Sequence, residues 1–266
     1  MSRIQTCLQQ LQAQNKKALI PYIVAGDPDK NATLATLHAM VKAGANILEL
    51  GVPFSDPMAE GPVIQKGHER ALAAGMSLHG ILQLVRDFRS VDATTPIVLM
   101  GYANPIEHMG YAQFANEAEA AGVDGVLTVD IPPEEATELN TELKRAGIDT
   151  IFLLAPTTTD ERAKHICELA TGYLYYVSLK GVTGAGNLDT AEVQSKLAQF
   201  RSYTSLPICV GFGIKDAESA RLIAQNADGV VVGSVLVDRM GSMQSQSADA
   251  VANAVAGILA DIRQAI

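Results

Sequence analysis

Ala121-Gly122-Val123-Asp124-Gly125-Val126-Leu127-Thr128-Val129 reads as the end of a helix, a turn and a buried strand, in that order. Gly122 decides the reading: with no Cβ it takes a positive φ just past a helix, and the chain turns there. The run after it is apolar without clean alternation, as expected of a parallel strand covered on both faces. The same punctuation recurs at Ala43-Gly44-Ala45-Asn46 and Ala146-Gly147-Ile148-Asp149, and more loosely at Asn226-Ala227-Asp228-Gly229. An apolar run follows each copy.

Working outward, eight apolar runs are marked: Ala18–Val24, Ile47–Val52, Ile97–Met100, Gly125–Val129, Thr150–Leu154, Leu174–Val177, Ile208–Val210 and Val230–Val232. Helical patterns lie between them. Leu34, Leu37 and Val41 share a face, as do Leu78, Ile81, Leu82 and Val85; Phe114 and Ala118; Ala136, Leu139 and Leu143; and Ala220, Ile223 and Ala224. Val251, Val255, Ile258, Leu259 and Ile262 predict a long C-terminal helix, and Ile4, Cys7, Leu8 and Leu11 a short one before the first strand. Strand starts are mostly about 20 to 35 residues apart, the size of one strand–helix unit. The step from Ile47 to Ile97 is longer and carries an extra loop, Pro53–Val63, besides its helix. These alternations predict an α/β fold: a single-domain (β/α)8 TIM barrel over residues 1–266 with an extra N-terminal helix. An open doubly wound sheet fits less well, because Ala25-Gly26-Asp27-Pro28 stands where G-x-G-x-x-G would follow the first strand.

Composition narrows the function. The 266 residues are 48% hydrophobic, enough for a sizeable core. Twenty Lys and Arg against 29 Asp and Glu give a net charge of −9. That argues against binding nucleic acid or an anionic membrane, which needs a basic face. A phosphorylated small molecule is compatible, since a few backbone N–H groups can hold a phosphate. Cys7, Cys167 and Cys209 are far apart and form no C-x-x-C pair, which fits a reducing compartment. The five histidines make no zinc pattern and are each expected to be surface or satisfied structural residues; no metal is predicted. With no signal-peptide core in residues 1–17 and no span-length apolar stretch, a cytoplasmic protein is expected.

In such a barrel, chemistry lies at the C-terminal strand ends and in the loops after them. Glu49 interrupts the apolar second strand, and a carboxylate facing a barrel interior has a raised pKa, which suits a general acid or base. The following loop, Pro53-Phe54-Ser55-Asp56-Pro57-Met58-Ala59-Glu60-Gly61-Pro62, is stiffened by prolines. It aims a second carboxylate at the mouth, or it is a solvated acidic turn. Met100-Gly101-Tyr102-Ala103-Asn104-Pro105 and Val129-Asp130-Ile131-Pro132-Pro133 read equally as ligand or partner contacts and as plain turns. Three glycines in Gly181-Val182-Thr183-Gly184-Ala185-Gly186 make a lid or a floppy connection. Gly211-Phe212-Gly213 after the seventh strand and Gly233-Ser234 after the eighth fit the phosphate site common in barrels.

Taken together, these stretches closely resemble the tryptophan synthase alpha subunit family. The resemblance rests on Pro21–Pro28, Leu48–Pro57, Gly61-Pro62 with Ile64-Gln65, Gly101–Pro105, Asp130–Pro132, Gly181–Gly184 and Gly211–Ile214, in family order over most of the chain. It implies cleavage of indole-3-glycerol phosphate to indole and glyceraldehyde 3-phosphate, a retro-aldol lyase reaction without metal or cofactor. It makes Glu49 the acid/base at indole C3 and at the glycerol hydroxyl, and the loop carboxylate the partner of the indole N–H. Tyr175 sits by the glycerol part. Phosphate rests on Gly184, Gly213, Gly233 and Ser234. Tyr22, Met100, Leu127, Val129 and Leu153 form the indole slot, and Thr183 meets the loop carboxylate as the lid shuts. The implied partner is a pyridoxal-phosphate beta subunit in an αββα assembly, met by Pro53, Asp56, Pro57, Asn104 and Asp130.

The family usually has Asp where this chain has Glu60. Glu is one methylene longer, so either the loop shifts to compensate or Asp56 shares the work. Leu179-Lys180 stands where some members have an arginine, a change expected in lid dynamics rather than chemistry. Rival readings are another phosphate-binding barrel enzyme, an isomerase or a Schiff-base aldolase, and an inactive phosphate-binding activator subunit. The aldolase needs a lysine at a strand end, and only Lys180 comes near one.

Overall fold

The computed structural model describes residues 1–177, 190–211 and 213–266. Eight parallel strands close into a barrel in sequence order: β1 Ala18–Val24, β2 Leu48–Gly51, β3 Ile97–Gly101, β4 Gly125–Thr128, β5 Asp149–Leu154, β6 Leu174–Val177, β7 Ile208–Gly211 and β8 Gly229–Val232. All eight predicted runs are strands, two with the predicted ends and the rest with ends moved by one residue. The barrel closes through β1 and β8, where Ala18 to Pro21 pair with Gly229 to Val232.

Among the described residues there are twelve helices. The predicted first helix is α1 (Arg3–Ala13), and the predicted patterns become α2 (Lys30–Lys42), α4 (Leu78–Arg89), α6 (Tyr111–Ala121), α7 (Thr137–Arg145), α10 (Ala217–Ala224) and α12 (Ala248–Ala265). The extra segment after β2 differs from its reading as a loop through Val63: α3 (Pro62–Ala73) starts at Pro62. Its proline at the first helical position needs no N–H there. Helices α5 (Ala103–Met109), α8 (Asp160–Leu169), α9 (Thr190–Arg201) and α11 (Ser234–Ser242) complete the set. No described helix is long and apolar enough to cross a membrane.

Strand side chains alternate between two cores. Leu19, Ile23, Leu48, Leu50, Leu99, Val126, Leu154, Tyr176, Val210 and Val230 point outward and pack under the helices. Ile20, Tyr22, Val24, Val98, Leu127, Ile151, Tyr175, Cys209 and Val231 point inward and fill the barrel. Glu49, between Leu48 and Leu50, takes the inward parity and pairs in register with Tyr22 and Val98.

Helix α1 closes the end of the barrel where the strands begin. Ile4 is fully buried in the inner core. A Cβ on Gly125 would lie 2.9 Å from Ile4 Cδ1, so glycine there leaves room for the plug. Ser2 donates to Asp149, and Arg3 pairs with Asp124 at 2.8 Å.

The repeated Ala-Gly-x-Asx has two parts with separate work. Gly44, Gly122 and Gly147 all have positive φ, as a helix end requires. The Asx that follows clasps the strand before it. Asn46 N donates to Leu19 O while its Oδ1 accepts from Leu19 N at 2.8 Å. Asp124 does the same with Ile97, and Asp228 with Ile208. Thr171 makes the equivalent ring with Thr150 through its hydroxyl. Asp149 departs from this pattern: its N–H donates to Asp124 O and its carboxylate receives Ser2.

Candidate active site

Glu49 reaches the inner wall because it alternates with Leu48 and Leu50, which pack outward under the helices. It is fully buried, and among the described residues neither of its oxygens has a hydrogen-bond partner. Burial pushes its carboxyl up to about 8, and the nearby Glu60 carboxylate adds to the rise. The hydroxyl of Tyr173 opposes it, although that oxygen too lacks a hydrogen bond of ordinary geometry. Such a group carries its proton at neutral pH, as an acid must before it acts.

Glu60 lies half-buried at the end of the β2 loop, and burial raises it to about 7. Its charge is felt by Glu49, Tyr22, Tyr102 and Tyr175, so the carboxylate faces the mouth. Asp56 is exposed and accepts from Ser55 Oγ at 2.6 Å. The structure thus places Glu60 within electrostatic reach of Glu49 and leaves Asp56 exposed.

Tyr22, Leu127 and Tyr175 belong to the inner apolar cluster, and Met100, Val129 and Leu153 pack against it. Two strand glycines make space for the tyrosines. A Cβ on Gly51 would lie 2.2 Å from Tyr22 Oη, and one on Gly211 would lie 2.0 Å from Tyr175 Oη. Gly211, read with the phosphate glycines, is therefore a barrel-wall position that admits a tyrosine hydroxyl. Gly213 follows β7 with φ +79°, a left-handed turn that favours glycine. Gly233 precedes α11, whose first residue, Ser234, is exposed. The N-terminus of this helix presents unpaired N–H groups, the usual seat of an anion. Thr183 and Gly184, with the glycine-rich loop around them, and Phe212 lie outside the described residues.

Asp56, Asn104 and Asp130 are exposed, Pro57 is half-buried, and Met58 beside it is 77% exposed. Asp130 accepts from Ala103 N at 2.8 Å and ties the loop after β4 to the start of α5. Pro53 is buried at the point where the loop leaves the wall.

Tyr173 and His68 are neighbours of the site that the sequence did not single out, and Tyr102, read there as either a contact or a turn residue, turns out to brace the loop. Tyr173 sits one residue before the predicted sixth strand. Tyr102 accepts from Ala59 N at 3.0 Å and stacks on Phe54. His68, on α3, accepts from Phe54 N at 3.0 Å. The signal for Tyr102 and His68 was their nearness in sequence to the β2 and β3 loops, but their contacts are made across separate segments.

A closed eight-stranded parallel barrel with two carboxyls of raised pKa at its mouth defines an enzyme of the (β/α)8-barrel class. Comparison with known proteins narrows the class. The sequence profile of the tryptophan synthase alpha chain matches residues 8–264, and the chain belongs to that family. The tryptophan synthase alpha chain of Methylococcus capsulatus (strain Bath) is 58% identical over 266 residues, covering 100% of this chain and 99% of the relative. The crystal structure of tryptophan synthase subunit alpha from Legionella pneumophila superposes with a TM-score of 0.92 at 45% identity, covering 100% of this chain and 98% of that one. A chain from the tryptophan synthase a2b2 complex of Pyrococcus furiosus superposes with a TM-score of 0.85 at 41% identity, over 92% and 97%. The activity is accordingly that of a lyase, the indole-3-glycerol phosphate half-reaction of tryptophan synthesis.

Proposed function

We propose that Glu49 and Glu60 divide the proton transfers of this cleavage. Breaking the carbon–carbon bond needs a proton at indole C3, a base for the glycerol hydroxyl beside the bond, and an acceptor at the indole N–H. Glu49, protonated at neutral pH, delivers the C3 proton. It then takes the hydroxyl proton as the aldehyde forms, which returns it to its starting state. Glu60 holds the indole N–H, takes up its proton in the indolenine-like intermediate and returns it as indole leaves. The observation that carries this reading is the Glu49 carboxyl, buried with both oxygens unpartnered and close enough to Glu60 to feel its charge.

The remaining parts follow the same logic. Tyr22, Met100, Leu127, Val129 and Leu153 line an apolar slot suited to indole, and Tyr175 stands beside the glycerol chain. The phosphate is held at Gly213, Gly233 and Ser234, at the head of α11. Asp56, Pro57, Asn104 and Asp130 face a beta subunit that carries pyridoxal phosphate, in an αββα assembly that passes indole between subunits; this chain brings no cofactor of its own.

Indole release from indole-3-glycerol phosphate tests the reading, with and without a beta subunit, for wild type, Glu49→Gln and Glu60→Gln. Loss of a general acid–base residue costs roughly 10²- to 10⁴-fold, and both variants should fall that far. Activity retained in Glu60→Gln moves the N–H role to another group. Activity retained in Glu49→Gln ends the two-carboxylate reading.

A further inference from the structure

We propose that His68 is a positioning residue for this reaction: its imidazole ties the loop that carries Glu60 to the barrel wall and keeps that carboxylate over the mouth. The inference rests on the role given to Glu60 above. It begins with the packing of α3. A Cβ on Gly67 would lie 2.8 Å from Val237 Cγ1 and 3.1 Å from Val24 Cγ2, so the helix presses against β1 and α11 at the residue before His68. The imidazole is thereby delivered into the wall, only 1% exposed.

Its two nitrogens join different parts of the site. Phe54 N donates to Nδ1 at 3.0 Å. A nitrogen that accepts carries no proton, so the neutral ring holds its hydrogen on Nε2. Nε2 lies 3.5 Å from Tyr22 Oη, on the inner face of β1. One ring thus connects the first residues of the loop with the strand that pairs with Glu49. Burial pushes the imidazole down to about 4, so the accepting form persists at neutral pH.

The far end of the loop is held by other groups. Tyr102 Oη accepts from Ala59 N, and Gln65 Nε2 donates to the Glu60 carbonyl at 2.8 Å. Between the anchors, Ser55, Asp56 and Met58 are exposed. Phe54 also stacks on Tyr102, the residue that holds Ala59 N, so freeing Phe54 loosens the anchor beside Glu60 and lets its carboxylate shift toward water. A misplacement of about 1 Å costs on the order of 100-fold in rate.

The test uses the full chain with His68→Leu and His68→Asn. Asparagine places Oδ1 near the position of Nδ1 and keeps an acceptor for Phe54 N; leucine removes it. In His68→Leu, kcat should fall about 100-fold with KM little changed. The Glu60 carboxyl, followed by carbon NMR, should titrate in the ordinary carboxylate range instead of near 7. His68→Asn should restore both. A His68→Leu chain that is less stable but keeps its kcat and its Glu60 titration reduces His68 to packing and overturns the proposal, as does a folded His68→Asn chain that loses kcat like the leucine variant. Should His68→Leu fail to fold, nitrogen–nitrogen coupling between Phe54 N and His68 Nδ1 in wild type decides: coupling supports the tether, and its absence overturns it. Full activity in Glu60→Gln would sink the role of Glu60 while leaving a shifted Glu60 titration in His68→Leu as evidence for the tether.

Discussion

Glu49 links folding to pH in a direction opposite to most carboxylates. Its carboxyl is raised from 4.5 to about 8 in the folded chain, so the native state binds this proton more tightly than the unfolded state. Below pH 4.5 both states are protonated and the site adds no pH dependence. As pH rises from about 4.5 to 8, folding must take up a proton, and stability falls by up to about 1.4 kcal/mol per unit. Above the folded pKa the loss levels off. The stability of Glu49→Gln minus that of wild type should therefore climb across that window and flatten beyond it, as read by urea unfolding at a series of pH values. A difference that stays flat from pH 5 to 8 would refute the raised pKa. Glu49 was legible in sequence because one carboxylate stood in an apolar run. His68 was not, because its meaning depends on Phe54 and Tyr22, which reach it from a loop and another strand.

At the scale of elements, half of the repeated punctuation could be read directly. A glycine after a helical pattern announces a turn through its own backbone freedom. The Asx two residues later looks like any turn residue, since its partner lies on the strand before, 20 or more positions back. The clasps differ in what else they hold. Asp124 also pairs with Arg89 at 2.6 Å, and Arg89 is only 10% exposed. Removing Asp124 leaves that guanidinium buried without its counterion, so Asp124→Ala should cost about 3–5 kcal/mol. Asn46 Oδ1 accepts from Leu19 N and from Arg263 Nη1 at 3.1 Å but balances no charge, so Asn46→Ala should cost about 1–3 kcal/mol. Denaturant unfolding would rank the two, and equal losses would contradict the distinction. Helix α3 escaped the sequence reading because its proline start looks like the continuation of a proline-rich loop.

For the whole molecule, counting eight buried strands was enough to foresee closure, while the plug at the lower end needed coordinates. Ile4 fits only because Gly125 gives way to it. Ile4→Ala should cost about 2–5 kcal/mol, and each kcal/mol should lower the melting temperature by roughly 2–4 °C in a chain of this size. A melting temperature unchanged from wild type would show that α1 rests against the barrel without sealing it.

The four clasps have a further consequence, for how such a chain is assembled. They join β1 to β2, β3 to β4, β5 to β6 and β7 to β8, each across 20 to 27 residues. Adjacent pairs meet through backbone bonds such as Leu48 N to Pro96 O, Asp149 N to Asp124 O and Leu174 N to Pro207 O. The barrel is thus divisible into quarters, each able to seal its own lower rim before the next has been synthesised. Domains form during synthesis from the N-terminal side, and here the growing ring would be registered two strands at a time, with Glu49 set in the first quarter and the phosphate helix arriving with the last.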